Sequence, residues 1–196
     1  GNLFLAALSE IAGGFEQAVR VTENVLAITG KVIPVTLEQV NLKACFDNGE
    51  SIIGECQIVE RSKITGMKIK DITLLPQNPR PMPDAISAIQ AADAIILGPG
   101  SLYTSIIPNL LVKNISSTIA KSKAKVIYIC NIMTQPGETT GFGVYEHIVE
   151  LEKYLGEGII DTVIVNSDDI AENWLNLYLE DGADIINLEE DKLKNK

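Results

Sequence analysis

The second half of the chain alternates short apolar runs with longer amphipathic stretches. The apolar runs are rich in Ile and Val and bear few polar residues, which is typical of strands buried on both faces of a parallel sheet. They predict strands at 94–97, 125–130 and 161–165, and the stretches between and after them predict helices at 106–120, 144–155 and 168–179. This alternation predicts an α/β fold in which helices cover both faces of a parallel sheet.

The first third of the chain has a different pattern. Apolar residues at helical spacing predict a buried helix over 2–12 and a second helix over 15–28, with Gly30 as its stop. Residues 40–75 predict an antiparallel β-hairpin insertion. In it, strands at 42–46 and 51–59 flank the turn Asp47-Asn48-Gly49-Glu50, and a further strand covers 64–75. A proline-rich connector follows, and then a short helix at 85–92.

Charge and cysteine content narrow the function classes. The formal net charge of −10 argues against non-specific binding to nucleic acid or to anionic membranes, because both require a basic surface. Three cysteines without CxxC spacing indicate reduced thiols, and Cys130, at the end of an apolar run, is expected to be buried. No apolar run is long enough to span a bilayer, and we therefore predict a cytoplasmic protein.

The chain opens on Gly1-Asn2-Leu3-Phe4 without an initiator Met and inside a helical pattern. We predict from this a single α/β domain over residues 1–196 that is a piece of a longer protein and lacks its N-terminal part.

Three predicted strand exits carry most of the chain's unusual chemistry. They are residues 98–105, 131–143 and 166–169. In an open parallel sheet, ligands bind at the carboxyl ends of the strands, so these exits are expected at one edge. The sequence therefore predicts a ligand site there.

The first exit is Gly98-Pro99-Gly100-Ser101, followed by a cluster of hydroxyls. Glycines let a ligand approach the backbone, and Ser101, Thr104 and Ser105 lie where a helix begins and its dipole favours an anion. The chain has no GxxxxGK[ST], GxGxxG or GxSxG motif at this position. A tight turn with a helix N-cap and a phosphate-binding loop both fit the pattern.

The second exit is dense in amide, hydroxyl and carboxylate groups. The amide side chains of Asn131 and Gln135 are suited to bind the edge of a base or a sugar. For Glu138 three alternatives are open: it binds a hydroxyl, a metal or no ligand. A solvated loop capped by Thr139 or Thr140 is the alternative. In the third exit, Ser167 or Asp168 is predicted to be an ordinary N-cap, and the Asp168-Asp169 pair is a weak sign of Mg²⁺ binding.

No set of nucleophile, base and acid can be assembled from the sequence. His147 is the single histidine, and we expect it on a partly exposed helix surface. We therefore assign no catalytic residue and no metal ligand.

Two segments, "ADAIILGPGSLYTSIIPNLLV" and "YICNIMTQPGETTGF", together with the opening "GNLFLAAL", resemble the CofD-like family over essentially the whole chain. One branch of that family comprises the gluconeogenesis factors of the YvcK type, which "MTQPGET" resembles more closely. The other branch comprises the 2-phospho-L-lactate transferases.

The resemblance implies a Rossmann-like fold and a nucleotide or nucleotide-sugar ligand. The first branch implies a cytoplasmic, UDP-sugar-binding regulator of carbon metabolism and cell shape. The second implies transfer of a phospholactyl group from a nucleoside diphosphate carrier, guanosine diphosphate in that branch, onto a deazaflavin alcohol, with Mg²⁺. Family members also carry a GGGTG-type segment ahead of "GNLF", which this sequence does not show.

Three hypotheses follow: the regulator, the Mg²⁺-dependent transferase, and a domain whose loops are structural. In the first, the diphosphate is lined by Gly98, Gly100, Ser101, Thr104 and Ser105, and the base or sugar by Asn131, Thr134 and Gln135. An apolar hairpin edge is also suited to pairing with another subunit, which makes a homodimer an open option.

Overall fold

The structure is a computed structural model that describes residues 2–25 and 29–193. It contains an antiparallel and a parallel three-stranded sheet. Helices α1 (Asn2–Ala12) and α2 (Phe15–Val25) pack on each other across Gly13 and Gly14. The predicted end of α2 at 26–28 lies outside the described residues. The prediction that α1 is buried is wrong, because Leu3 and Ile11 are 88% and 82% exposed.

The antiparallel sheet confirms the predicted insertion. Its strands are β1 (Asn41–Phe46), β2 (Ser51–Ile53) and β3 (Ile69–Leu75), in the order β2-β1-β3. The predicted strand at 51–59 is wrong beyond Ile53, and that at 64–75 begins only at Ile69. Helix α3 (Glu55–Thr65) occupies the interval and ends at Gly66, which has a φ of 70°.

The helix forms because its buried residues are four apart. Ile58 and Ser62 are the buried residues of α3, and this spacing places them on one helical face. The Ser62 hydroxyl also donates a hydrogen bond of 2.6 Å to the Met67 carbonyl just beyond the helix. Helical burial therefore outweighs the strand propensity of the Ile and Val residues in this segment.

The parallel sheet contains β4 (Ala94–Leu97), β5 (Lys125–Ile129) and β6 (Thr162–Ile164), in that order. All three strands match predicted runs, and both strand pairs are parallel. The helices around them are α4 (Pro83–Ala91), α5 (Ile107–Leu110), α6 (Ile115–Lys121), α7 (Val144–Leu155), α8 (Glu172–Glu180) and α9 (Glu190–Leu193).

Two predicted helices differ from the structure. The helix predicted over 106–120 is a π-helical turn (Leu102–Ile106) followed by α5 and α6, which are separated at Asn114, where φ is 66°. The helix predicted from 168 begins at Glu172 with Ala171 at its N-cap, so the N-cap predicted at Ser167 or Asp168 is wrong. Local turn geometry decided both boundaries.

One hydrophobic core joins the two sheets. Phe46 and Ile72 of the antiparallel sheet belong to the same buried cluster as Val126 and Tyr128 of the parallel sheet, and α6 and α7 contribute to it. The opposite face of the parallel sheet is less covered within the described residues, because Ile96 and Ile164 are 58% and 49% exposed. The α/β class and the insertion are confirmed, while helical cover on the second face is partial in this part of the chain.

Candidate functional site

The exits of β4 and β5 meet through a reciprocal pair of hydrogen bonds. The Gly100 N–H donates to Asn131 Oδ1 at 3.1 Å, and Asn131 Nδ2 donates to the Gly100 carbonyl at 2.9 Å. The strands are parallel neighbours, so both loops leave the same edge of the sheet. The structure thus brings together the first and second exits, as their positions in the sequence predicted.

Gly98 is required by the packing of its own backbone. Its φ is +81°, and a Cβ atom there would lie 2.7 Å from the Ile129 carbonyl oxygen of β5. No L side chain fits that position without moving the strand. The reason for this glycine is therefore the contact with β5, and its predicted approach to a ligand stays a prediction. At Gly100, by contrast, the nearest atom to an added Cβ is Ser105 Cβ at an ordinary 3.5 Å.

Glu138 holds the π-helical turn after the first exit. The Tyr103 N–H donates to Glu138 Oε2 at 3.1 Å, and Thr104 Oγ1 donates to Oε1 at 3.0 Å. Only 6% of Glu138 is exposed. Burial raises the pKa of this carboxyl group, and the hydrogen bonds from Thr104 and Tyr103 offset part of the effect. In this structure the turn is thus held by the protein's own Glu138 carboxyl group, and a ligand contact by Glu138 stays a prediction.

The remaining polar side chains of the first exit are accessible. Ser101 stands at the N-cap of the turn, but its side chain makes no capping hydrogen bond, so this serine does not act as a cap. Ser101 is partly buried and Ser105 is exposed. Within residues 2–25 and 29–193, neither hydroxyl has a hydrogen-bond partner. Both are therefore free for a ligand.

Thr134 fastens the second exit to the C-terminal segment. Its N–H donates to the Asp184 carbonyl at 2.7 Å, and its Oγ1 accepts from the Asp184 N–H at 2.8 Å. Thr134 is only 4% exposed. The sequence missed this contact, because it joins two irregular segments fifty residues apart with no pattern that marks the pairing. A ligand contact by Thr134 stays a prediction.

Gln135 begins a closed turn. Its N–H donates to Thr139 Oγ1 at 2.9 Å, and its carbonyl accepts from the N–H groups of Glu138 and Thr139. Thr139 thus caps the turn, as one alternative in the sequence suggested. The Gln135 side chain is partly exposed, and its contact with a base or sugar stays a prediction.

The third exit is less closely connected with this site. β6 is parallel to β5, so the exit lies at the same edge. Its hydrogen bond from Asn166 Nδ2 to the Asp168 carbonyl, 2.7 Å long, is local. Among the described residues no group of three His, Cys, Asp or Glu side chains is placed to hold a metal ion. Both Glu138 oxygens accept hydrogen bonds from the π-helical turn, and Mg²⁺ binding by the Asp168-Asp169 pair stays a prediction.

His147 is fully buried, so the prediction of a partly exposed histidine is wrong. It lies on the face of α7 that also buries Val144, Ile148 and Leu151. Nδ1 lies 2.8 Å from the Gly143 carbonyl, which assigns the proton to Nδ1, and Nε2 has no hydrogen-bond partner in the described structure. Burial lowers the pKa of the imidazole, so this side chain is neutral.

Cys130 is buried as predicted, with 4% of its surface exposed. Burial raises the pKa of the thiol, which disfavours the reactive thiolate.

Within the part of the chain that the structure describes, no helix is both long enough and apolar enough to cross a membrane.

These features define a Rossmann-type α/β protein with paired polar loops at the carboxyl edge of a parallel sheet, which is where such folds bind ligands. A family model described as "2-phospho-L-lactate transferase CofD" matches residues 1–196, and the chain belongs to this family.

Curated relatives share this similarity over the full chain. A provisionally named gluconeogenesis factor of Thermotoga maritima is 47% identical over 198 residues, which cover 100% of this chain and 60% of the relative. The gluconeogenesis factor of Bacillus subtilis is 43% identical over 194 residues, 99% of this chain and 60% of the relative. A crystal structure of a UPF0052-family protein from Bacillus halodurans is 37% identical with a TM-score of 0.90, covering 100% of this chain and 62% of that one. The chain thus spans about 60% of the length of the curated relatives it matches.

Proposed function

We propose that this chain is the nucleotide-sugar-binding part of a gluconeogenesis factor, a cytoplasmic regulator of carbon metabolism and cell shape that binds a UDP-sugar. The ligand lies at the carboxyl edge of the parallel sheet. Its diphosphate runs along Gly98, Gly100, Ser101, Thr104 and Ser105, and its base or sugar contacts Asn131, Thr134 and Gln135.

The reciprocal pairing of Gly100 with Asn131 carries this proposal. It joins the exits of two neighbouring parallel strands into one surface. On that surface two serine hydroxyls of the first exit have no partner among the described residues, and the amide of Asn131 is partly exposed. Hydroxyl and amide groups on adjacent βα loops are suited to a polar, uncharged sugar and its diphosphate.

The character of the site favours binding over turnover. Glu138, a buried carboxylate at the site, is engaged with Tyr103 and Thr104. His147 and Cys130 are buried, and the exposed Cys56 lies on α3, outside the two paired exits. The names of the relatives from Thermotoga maritima and Bacillus subtilis agree with a gluconeogenesis factor.

A transferase is the second candidate, because the description of the matching family is that of an enzyme. In that case a nucleoside diphosphate-linked phospholactyl donor binds at the same edge. Phosphoryl-group transfer depends mainly on positioning and on charge stabilisation, which Mg²⁺ would supply together with the phosphates of the donor.

Calorimetric titration of the intact protein with UDP-N-acetylglucosamine and with GDP distinguishes the two functions. We expect saturable binding of the UDP-sugar and little or none of GDP. In Asn131→Ala, which loses both bonds to Gly100, we expect binding to weaken by about tenfold or more. Asn48→Ala is the matched control, since Asn48 Oδ1 also accepts a backbone N–H, but in the β1–β2 turn.

If neither UDP-N-acetylglucosamine nor GDP gives a heat of binding, both candidates are contradicted. Two results together replace the regulator with the transferase: GDP binding, and release of GMP from a guanosine diphosphate-linked lactyl donor when a deazaflavin acceptor and Mg²⁺ are present. If the Asn48 and Asn131 variants lose affinity for the UDP-sugar equally, the paired exits have no specific role in binding.

A further inference from the structure

A cleft of about 410 Å³ lies between the antiparallel unit and residues 134–142, which we name the 134–142 loop. The end of α3 and the start of β3 form one wall, and the loop and the turn at 181–182 form the other. This volume falls in the range of pockets that hold small molecules. The loop wall of the cleft belongs to the second exit, but none of the residues assigned to the nucleotide lines the cleft. Glu138 lines it while its carboxylate faces Tyr103 and Thr104.

The cleft is maintained by a close backbone contact. Gly137 has a φ of +83°, and a Cβ atom there would lie 2.6 Å from the Val59 carbonyl oxygen of α3 and 2.9 Å from Lys63 Cγ. The 134–142 loop is therefore pressed against α3 at its middle. The cavity opens beside this contact, between rigid elements.

Apolar side chains line much of the cleft. Met67 and Ile69 come from the segment that leads into β3, and Pro136 and Phe142 come from the 134–142 loop. Ile69 is buried, whereas the other three are partly exposed and available for contact with a ligand. Together they offer a surface for the hydrocarbon part of a small molecule.

Two ammonium groups belong to the same wall of the cleft. Lys63 lies in the last turn of α3, and Lys68 directly precedes β3. Neither is in an ion pair with any residue of the described ranges, although acidic residues outnumber basic ones by 26 to 16 in the chain. On the opposite wall Asp181 is the exposed carboxylate. The Lys63 and Lys68 side is thus a local positive site on an acidic protein, suited to an anion.

We propose that this cleft binds a small acidic molecule with an apolar body. Its carboxylate or phosphate lies between Lys63 and Lys68, and its body packs against Met67, Pro136 and Phe142. This site is separate from the nucleotide site of the proposed function and does not depend on it.

Three one-ring probes test the proposal on the intact, ¹⁵N-labelled protein: phenyl phosphate, benzoate and the uncharged benzamide. We expect one or both acids to shift the amide resonances of Gly66, Met67 and Gly137 saturably, and benzamide to bind at least tenfold more weakly. Binding by phenyl phosphate alone assigns the ligand to phosphate esters, and binding by benzoate alone assigns it to carboxylic acids.

Charge variants decide whether the lysines recognise the anion. In Lys63→Gln/Lys68→Gln we expect affinity for the acids to fall about tenfold, whereas Asp181→Asn raises it about twofold by removing a like charge. Lys121→Gln/Lys123→Gln is the matched control, since it removes the same charge from a different surface cleft. All these side chains are exposed, and unchanged thermal midpoints show that the variants remain folded.

Lack of saturable shifts with both acids at tens of millimolar overturns the proposal. So does benzamide binding as tightly as the acids, or equal weakening in the two double-lysine variants. The UDP-sugar titration is a separate measurement, so failure at one site is distinguishable from failure at the other.

Discussion

Single residues at the site have roles that their side-chain types alone did not reveal. Gly98 accommodates the Ile129 carbonyl, and Glu138 fills the anion position of the π-helical turn. Thr134 binds Asp184 through both its backbone and its hydroxyl. At this scale the polar residues of the second exit shape the site as well as offering groups to a ligand.

His147 gives a pH-dependent prediction. Burial holds the pKa of its imidazole below the ordinary 6.5 in the folded protein, so below pH 6.5 the unfolded chain takes up a proton first. Above pH 6.5 the imidazole is neutral in both the folded and the unfolded chain, so the free energy of unfolding has its full value there. It should fall as the pH drops from 6.5 towards the lowered pKa, by at most about 1.4 kcal/mol per pH unit.

Chemical denaturation at pH 7.5 and 5.0 checks this, with His147→Asn as the comparison that cancels other titrating groups. The free energy of unfolding of the wild type, relative to that of His147→Asn, should be lower at pH 5.0 than at pH 7.5. Because His147 is the only histidine, its NMR titration reports directly on the same group. An imidazole that titrates at or above 6.5 contradicts the buried, neutral state.

At the scale of elements, the 134–142 loop connects three parts of the fold. It contacts α3 through Gly137, the π-helical turn through Glu138 and the C-terminal segment through Thr134. Each contact uses a different residue, so the loop is fixed along its length. A long loop that is held in this way is typical of a functional segment.

Gly137→Ala should destabilise the protein, with Gly141→Ala as a matched control. Both glycines have a positive φ, +83° and +77°, but a Cβ at Gly141 meets no atom within 4 Å. We expect a loss of about 1 kcal/mol for Gly141→Ala from backbone strain, and about 2–4 kcal/mol for Gly137→Ala, where overpacking against Val59 adds to it.

Urea denaturation measures both variants. Equal losses would mean that the contact between the 134–142 loop and α3 is not tight, which would also weaken the case for a preformed cleft beside it.

For the molecule as a whole, the two sheets are coupled through α7 and one core. The Ile72 N–H donates to the Tyr154 hydroxyl at 3.0 Å, and that hydroxyl donates to Asp71 at 2.8 Å. Tyr154 lies on α7, whose other buried residues pack with the parallel sheet. The antiparallel unit is therefore bonded to the rest of the fold as well as packed against it.

Tyr154→Phe should lower the free energy of unfolding by about 1–2 kcal/mol, because it leaves the Ile72 N–H without its acceptor. Unfolding should remain a single transition, since the hydrophobic core still joins the sheets. Circular dichroism at 222 nm and the fluorescence of Trp174 should give the same midpoint. Separate midpoints would contradict a single transition.

The sequence by itself determined the parallel strands, because a continuous Ile- and Val-rich run has few alternatives to a buried strand. It also placed Gly98–Ser105 and Asn131 at one edge, since parallel neighbours end on the same side. The helix α3, the start of α8 and the break between α5 and α6 were not predictable in this way. They depend on turn geometry and on which side chains are buried.

Only the tertiary structure decided what the polar residues bond to. Glu138, Thr134 and His147 each take a partner or an environment set by a segment that approaches from elsewhere in the fold. Lys63 and Lys68 become neighbours of Pro136 and Phe142 for the same reason. Periodicity and propensity act over a few residues, whereas burial and hydrogen-bond partners are fixed by contacts between distant parts of the chain.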